Sequence, residues 1–451
     1  MNCEELVTVN IPDNAKEIRE HSFGFGYKDG EYKKRVGFTI CGEKNSEAQK
    51  YADANGFTFK DTDSHAHTYK AIVVPNTCKT GGYTLSICKT CGETKTAAET
   101  KANGHPGGTY YRTTAFDTTA KTSTQTGVCT VCGGEVKKTT KNAITRLEGR
   151  NRSGTAAAIS AAEYPSTVIL ANSMNYADAL AGVPLSKKLN APILLTNTDS
   201  IDQTTLDEIK RLGATKVVIL GGEGAVSQNV VNTLISKGIA KENITRIAGK
   251  SRFGTAAEIA KKLGSAPTEV FFVYGLDYAD ALSVSTVATI KNAPIIYLTT
   301  KGDMNAETAT YLKTLMGKVT TAYIIGGEGV ISNDMMKKVG THLLLGDSSV
   351  VRVAGKNRYE TCTEVNSKFS SLLSSDGICV AKGLDFPDAL AGGVYAAKNG
   401  LPLFLADGSA LKDPQRSYLK EKNPARITVF GGQGAVSDAL IGVVANASVK
   451  A

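Results

Sequence analysis

Three arginine pairs and two cysteine pairs carry most of the chemistry that the order of residues makes visible. Arg146 with Arg152, Arg246 with Arg252, and Arg352 with Arg358 each frame the pattern Arg-x-x-Gly-x-x-Arg. A guanidinium presents a planar fork of donors that suits phosphate or carboxylate, so three such pairs could grip a polyanion at several points. The arginines could instead be structural, one of each pair forming an ion pair with the aspartate of a recurring Asp-Ala-Leu, at Asp178, Asp280 and Asp388. That alternative weighs most on the second arginine of each pair and leaves Arg146, Arg246 and Arg352 as the freer candidates. A Gly-Gly-x-Gly-x-x-Ser turn begins at Gly221, Gly326 and Gly431. Its amides either cradle an anion or simply permit positive φ in a tight strand-to-helix turn. Glu223 and Glu328 inside two of the turns weigh against an anion.

Cys88-x-x-Cys91 and Cys129-x-x-Cys132 are knuckles of the kind that aim two sulfurs at one tetrahedral ion. Cys88, Cys91, Cys129 and Cys132 are therefore the expected ligands of a structural zinc. Cys78, Cys88 and Cys91 with His67 or His105 form a competing set, and an exported protein could instead pair these cysteines as disulfides. Cys362 and Cys379 stand at apolar positions of the later sequence and are expected to be buried thiols.

The elements that must position these residues follow from self-similarity. Arginine pair, Asp-Ala-Leu, a Pro-led apolar run at Pro192, Pro294 and Pro402, and Gly-Gly turn recur in that order three times, the turns at equal intervals. Within a repeat the period switches between strand and helix. Thr167–Ala171 and Ala191–Thr196 read as strands, Tyr176–Leu189 as an amphipathic helix, and Gln228–Lys237 as a helix capped by Ser227. Strands alternating with helices predict βαβ units, hence an α/β fold with parallel sheets in each repeat. The boundaries expected are 143–245, 246–350 and 351–451. Pro192-Ile193-Leu194-Leu195 itself reads most simply as a buried central strand.

The chain has 451 residues, 41% hydrophobic and 21% charged, enough for about three globular domains. No run approaches the ~18 apolar residues of a membrane helix, and a net charge of +9 favours an anionic partner without implying nucleic acid. Neither a membrane nor a nucleic acid is therefore expected as a partner.

From Arg146 onward these motifs resemble the cell wall binding repeat 2 family of Gram-positive, especially clostridial, surface proteins, with the family's usual three repeats. The resemblance implies a topoisomerase-primase-like (Toprim-like) fold per repeat and a pseudo-threefold arrangement. It also implies non-covalent anchoring to an anionic cell wall polysaccharide or teichoic-type polymer, with Pro192, Ile193, Leu194 and Leu195 tied to attachment. Pro294-Ile295-Ile296-Tyr297 and Pro402-Leu403-Phe404-Leu405 depart from that run. No enzyme is expected, and no cofactor for function. The repeats hold one histidine, His342, no His-Glu-x-x-His occurs, and the sole Asp-x-Asp, Asp61-Thr62-Asp63, lies outside them. The alternative is the wall-anchoring part of a peptidoglycan amidase or its modifier, its catalytic domain lying elsewhere.

Residues 1–60 resemble the capping end of a bacterial-surface leucine-rich repeat, carried by Val9-Asn10-Ile11-Pro12 and Phe38-Thr39-Ile40-Cys41-Gly42. Residues 61–142 form the small β-rich Cys/His region. A cap without a solenoid, and an acidic start with no apolar leader, lead to the expectation of an upstream segment and a secreted protein of the cell wall or surface. The region before the repeats would then be displayed toward a host surface or other wall proteins.

Overall fold

The β-branched and aliphatic runs of each repeat become central strands of parallel sheets because both faces of such strands are covered. Val168, Leu170 and Ile193 are buried to within a few per cent of completely. The computed structural model describes residues 6–449 apart from 13, 63–65, 91, 106–110, 161–165, 265 and 409. Cys91, Asp63 and His65 lie outside the described residues. The chain divides into a smaller unit, residues 1–110 with 127–136, and a larger one, residues 111–126 with 137–451.

In the smaller unit, strands Thr8–Asn10, Thr39–Gly42 and Thr58–Asp61 form a parallel sheet. Helix Glu47–Asn55 ends in a left-handed Gly56. Its Tyr51 and Ala52 pack with Ile11, Ile40 and Phe57. Strands Tyr69–Val74, Tyr83–Cys88 and Thr94–Ala97 form a separate antiparallel sheet.

The larger unit holds three four-stranded parallel sheets. In the first, strand order is Ile193–Thr196, Thr167–Asn172, Lys216–Leu220, Ile244–Ile247. The last of these strands begins the second repeat. Val350–Val353, which begins the third repeat, likewise completes the second sheet against Thr321–Ile325. Ile144–Leu147, which begins the first repeat, completes the third sheet against Arg426–Phe430. Each sheet thus borrows its outer strand from the next repeat, in a closed circuit. The sequence intervals 143–245, 246–350 and 351–451 cut across the sheets at these borrowed strands, which is why the repeats form one compact unit.

Side chains alternate between two cores. Ile169 and Ala171 point into a cluster shared by all three repeats, whereas Val168 and Leu170 point into one confined to the first sheet. At the centre, helices Tyr176–Leu189, Ala279–Lys291 and Pro387–Lys398 each pack on the other two. Close approach needs small residues: a Cβ at Gly393 would stand 2.7 Å from Ser285 Oγ of the neighbouring helix. Phe271, Tyr297, Phe404 and Phe430 are among the largest fully buried side chains. Each contributes about 2–3 kcal/mol of apolar burial. Among the described residues no helix is long and apolar enough to cross a membrane.

Candidate functional site

Each first arginine sits on a borrowed strand, and that position decides its partner. Arg146, Arg246 and Arg352 donate to the carbonyl oxygens of Gly431, Gly221 and Gly326 at 2.7, 2.8 and 2.8 Å. These are the first glycines of the Gly-Gly turns in the sheets the strands complete. Arg146 also pairs with Asp438 at 2.8 Å, and Arg352 reaches Ile331 O at 2.8 Å and Asn333 Oδ1 at 3.1 Å. Arg246 lacks that second contact. Its Nη2 is buried without a partner, and Gln228 in the equivalent place donates its Nε2 to Asn232 Oδ1. Burial pulls Arg246 and Arg352 below the ordinary arginine value. The arginines expected to be the freer candidates are therefore held by the fold: they lock the turns.

The second arginines bind the repeats to one another. Arg152, Arg252 and Arg358 donate to Ser173 O, Gly275 O and Gly383 O at 2.6, 2.9 and 2.9 Å. They also lie over the rings of Phe386, Tyr176 and Tyr278, 5.8, 5.5 and 5.3 Å from their centroids. In every case the ring belongs to another repeat. The three rings meet, with centroid separations of 5.7 to 5.8 Å. An aromatic stands two residues before each recurring aspartate, a signal that was readable in the sequence.

Asp178, Asp280 and Asp388 are not the ion-pair partners expected. Arg358 pairs with Asp277 at 3.3 Å, and Arg152 with Asp385 at 3.9 Å, carboxylates three residues earlier and closer to solvent. Among the described residues no ion pair reaches the recurring aspartates. They are sunk beside the Gly-Gly turns, where burial raises all three, Asp280 to about 7. Hydroxyls of the neighbouring repeat partly oppose that rise at two of them, Thr255 at Asp178 and Thr155 at Asp388. The aspartates also explain the glycines. A Cβ at Gly221, Gly326 or Gly431, all at positive φ, would fall 2.1 to 2.4 Å from the aspartate Oδ2. Ser227, Ser332 and Ser437 cap the following helices, each accepting from one amide of the first turn.

An open cleft nonetheless lies where the motifs converge. Asp277, Asp280, Gly327, Lys356, Asn357 and Arg358 are among the residues lining a space of ≈ 290 Å³. Lys356 is exposed, as are Arg150 and Lys250 at the same place in the other arginine loops, and none of the three enters an ion pair among the described residues. Sequence reasoning passed over these cations in favour of the flanking arginines, although a basic residue follows the loop glycine in every repeat. Met174, Leu276 and Leu384, each two residues before the aromatic, are 70%, 58% and 52% exposed. Each repeat thus exposes one cation and one apolar side chain at equivalent positions.

Ile193, Leu194 and Leu195 form a wholly buried strand that Pro192 introduces, so the run presents no side chain at the surface. Tyr297, which stands where Leu195 does, places its hydroxyl 2.6 Å from Ala177 O of the first repeat. That contact accounts for the departure from the Pro-Ile-Leu-Leu run. Cys362 and Cys379 are buried in the shared core, as their apolar positions required. In the smaller unit, Cys129 and Cys132 meet Cys78 and His105 rather than Cys88, which packs against Cys41. Of the expected set, Cys129 and Cys132 are brought together and Cys88 is not with them, while Cys91 lies outside the described residues.

The cell wall binding domain 2 model matches residues 146–231, 246–336 and 352–441. The chain is 35% identical over 298 residues to the N-acetylmuramoyl-L-alanine amidase LytC of Bacillus subtilis, a match covering 66% of this chain and 57% of that one. It is 29% identical over 294 residues to the Amidase enhancer of the same organism, covering 65% and 39%. The chain thus spans only about half the length of the curated relatives it matches. Among solved structures, Cwp6 from Clostridium difficile superposes with a TM-score of 0.64 at 25% identity, covering 82% of this chain and 57% of that one. Cwp8 from the same organism gives 0.60 at 20% identity, covering 94% and 87%, a likeness of fold.

Proposed function

The chain belongs to the cell wall binding domain 2 family, and from that premise we propose that its three repeats hold it non-covalently to an anionic polymer of the cell wall. The observation that carries the reading is the unpaired cation at the rim of each arginine loop, Arg150, Lys250 and Lys356. Three weak exposed contacts on one rigid unit add up through avidity, and flexible lysine and arginine heads tolerate an irregular polymer. The exposed Met174, Leu276 and Leu384 supply apolar surface for the faces of sugar rings. In this reading the six framing arginines act indirectly, by fixing the turns and loops that bear the cations. We read each sheet with its helices as a Toprim-like module and the three as a pseudo-threefold array, supported by the mutually packed central helices and the three meeting aromatics. The chain is then a non-enzymatic protein of the cell wall or surface, displaying its smaller unit. The parallel strands packed with one helix there support a leucine-rich-repeat cap over residues 1–60.

The test is retention on purified walls. The triple variant Arg150→Glu, Lys250→Glu, Lys356→Glu should lower retention about tenfold or more, with melting unchanged because these side chains hold nothing in the fold. Rising salt should weaken the native protein in the same direction. Equal retention on walls stripped of their anionic polymers would refute the proposal. Similarity to LytC and to the Amidase enhancer favours a second reading, in which the chain is the wall-anchoring part of an amidase or its modifier. Amidase activity that appears only when this chain is present would support it.

A further inference from the structure

We infer that Cys78, His105, Cys129 and Cys132 form a closed four-ligand zinc site that staples the smaller unit together. Their ligand atoms all lie within 4.8 Å of one another. Cys78 Sγ is 3.8 Å from Cys129 Sγ, and Cys132 Sγ is 3.5 Å from His105 Nδ1. A tetrahedral zinc with Zn–S of about 2.3 Å and Zn–N of about 2.1 Å requires edges of about 3.8 Å between sulfurs and about 3.6 Å between sulfur and nitrogen. Both separations are already in place.

The local backbone is shaped for the same purpose. Cys129 N donates to Gly134 O at 2.9 Å and Gly133 N to Cys129 O at 2.8 Å, with Gly133 at φ +67°. This tight turn brings Cys132 back beside Cys129. Three thiolates and an imidazole select zinc over hard cations, which take oxygen ligands. Four protein ligands leave no open position for water or substrate, so the site is structural and not catalytic.

The unit needs such a staple. In its stretches 66–105 and 127–136 the buried apolar side chains among the described residues are Cys78, Cys88 and Cys129. The strand Thr94–Ala97 is exposed throughout. With so little apolar surface to bury, the segments around residues 78, 105 and 129–132 have little else to hold them. Three chain segments far apart in sequence would be tied at one point.

The experiment uses the full chain purified without chelator under reducing conditions. Zinc content should fall by one mole per mole of chain on going from native protein to Cys132→Ser, a substitution at an exposed side chain. Cys132→His should restore that equivalent. Cobalt substitution should give the absorption of a tetrahedral thiolate site, altered in both Cys78→Ser and Cys132→Ser. Unchanged zinc in Cys132→Ser overturns the inference, as does native protein whose Cys78 and Cys129 map to a disulfide.

Discussion

Asp280 offers a direct test of how the buried aspartates are held. Burial, helped by the nearby Asp277 and opposed by Arg358, raises its carboxyl from 3.8 to about 7. A carboxyl that binds its proton more tightly when folded stabilises the folded state at low pH. That stability is lost as pH rises from about 4 through about 7. Between pH 5 and pH 8 the loss for this one group is about 3 kcal/mol, from 1.4 kcal/mol for each tenfold change in proton affinity. Spread over the unfolding entropy of the larger unit, that corresponds to roughly 4 °C in melting temperature. Asp280→Asn keeps the shape and removes the titration. The assay is thermal melting of native and variant protein at both pH values, compared as differences because Asp178 and Asp388 add slopes of the same sign to both. The variant should gain on the native protein by roughly 4 °C between pH 5 and pH 8. Parallel behaviour, with the same offset at both values, would refute a buried, proton-retaining Asp280.

The orphaned Nη2 of Arg246 gives a stabilising prediction. Gln228→Asp should recreate the contact that Arg146 makes with Asp438 and raise stability by about 0.5–1 kcal/mol, read by denaturant unfolding; no gain would mean that water already satisfies the guanidinium. Leu194→Ala should cost about 3–5 kcal/mol, because the side chain is 1% exposed. Wall retention by the fraction of that variant still folded should be unchanged, and a loss of affinity without loss of stability would restore a direct role for the Pro-Ile-Leu-Leu run.

How far the sequence could be read depended on the range of the interaction. The strand Ile193–Thr196 and the helix Tyr176–Leu189 were legible because periodicity and a leading proline are local signals. The buried state of Cys379 followed from its place in such a strand. The partners of the arginines were not legible. Arg146 bonds to Gly431, which is 285 positions away, and only the borrowed strand brings them together. Asp277 and Asp280 stand on either side of a helix start, and nothing local tells which one faces Arg358. The cysteines show the same limit: a Cys-x-x-Cys turn announces two ligands, whereas Cys78 and His105 depend on how distant segments fold back. The rim cations were visible at a fixed position, but a charge on a loop gains meaning only once its neighbours are seen to be engaged.

The mutual packing of the three central helices sets a rule on copy number. In an open stack of repeats, a unit can be gained or lost at one end and the remainder still folds. Here, losing or duplicating one interval would still leave one edge strand for every sheet, but it would break the mutual packing of the three central helices and the contact of the three rings. Three is therefore a number set by that central packing, within which the repeats differ residue by residue, as where Tyr297 stands in the place of Leu195.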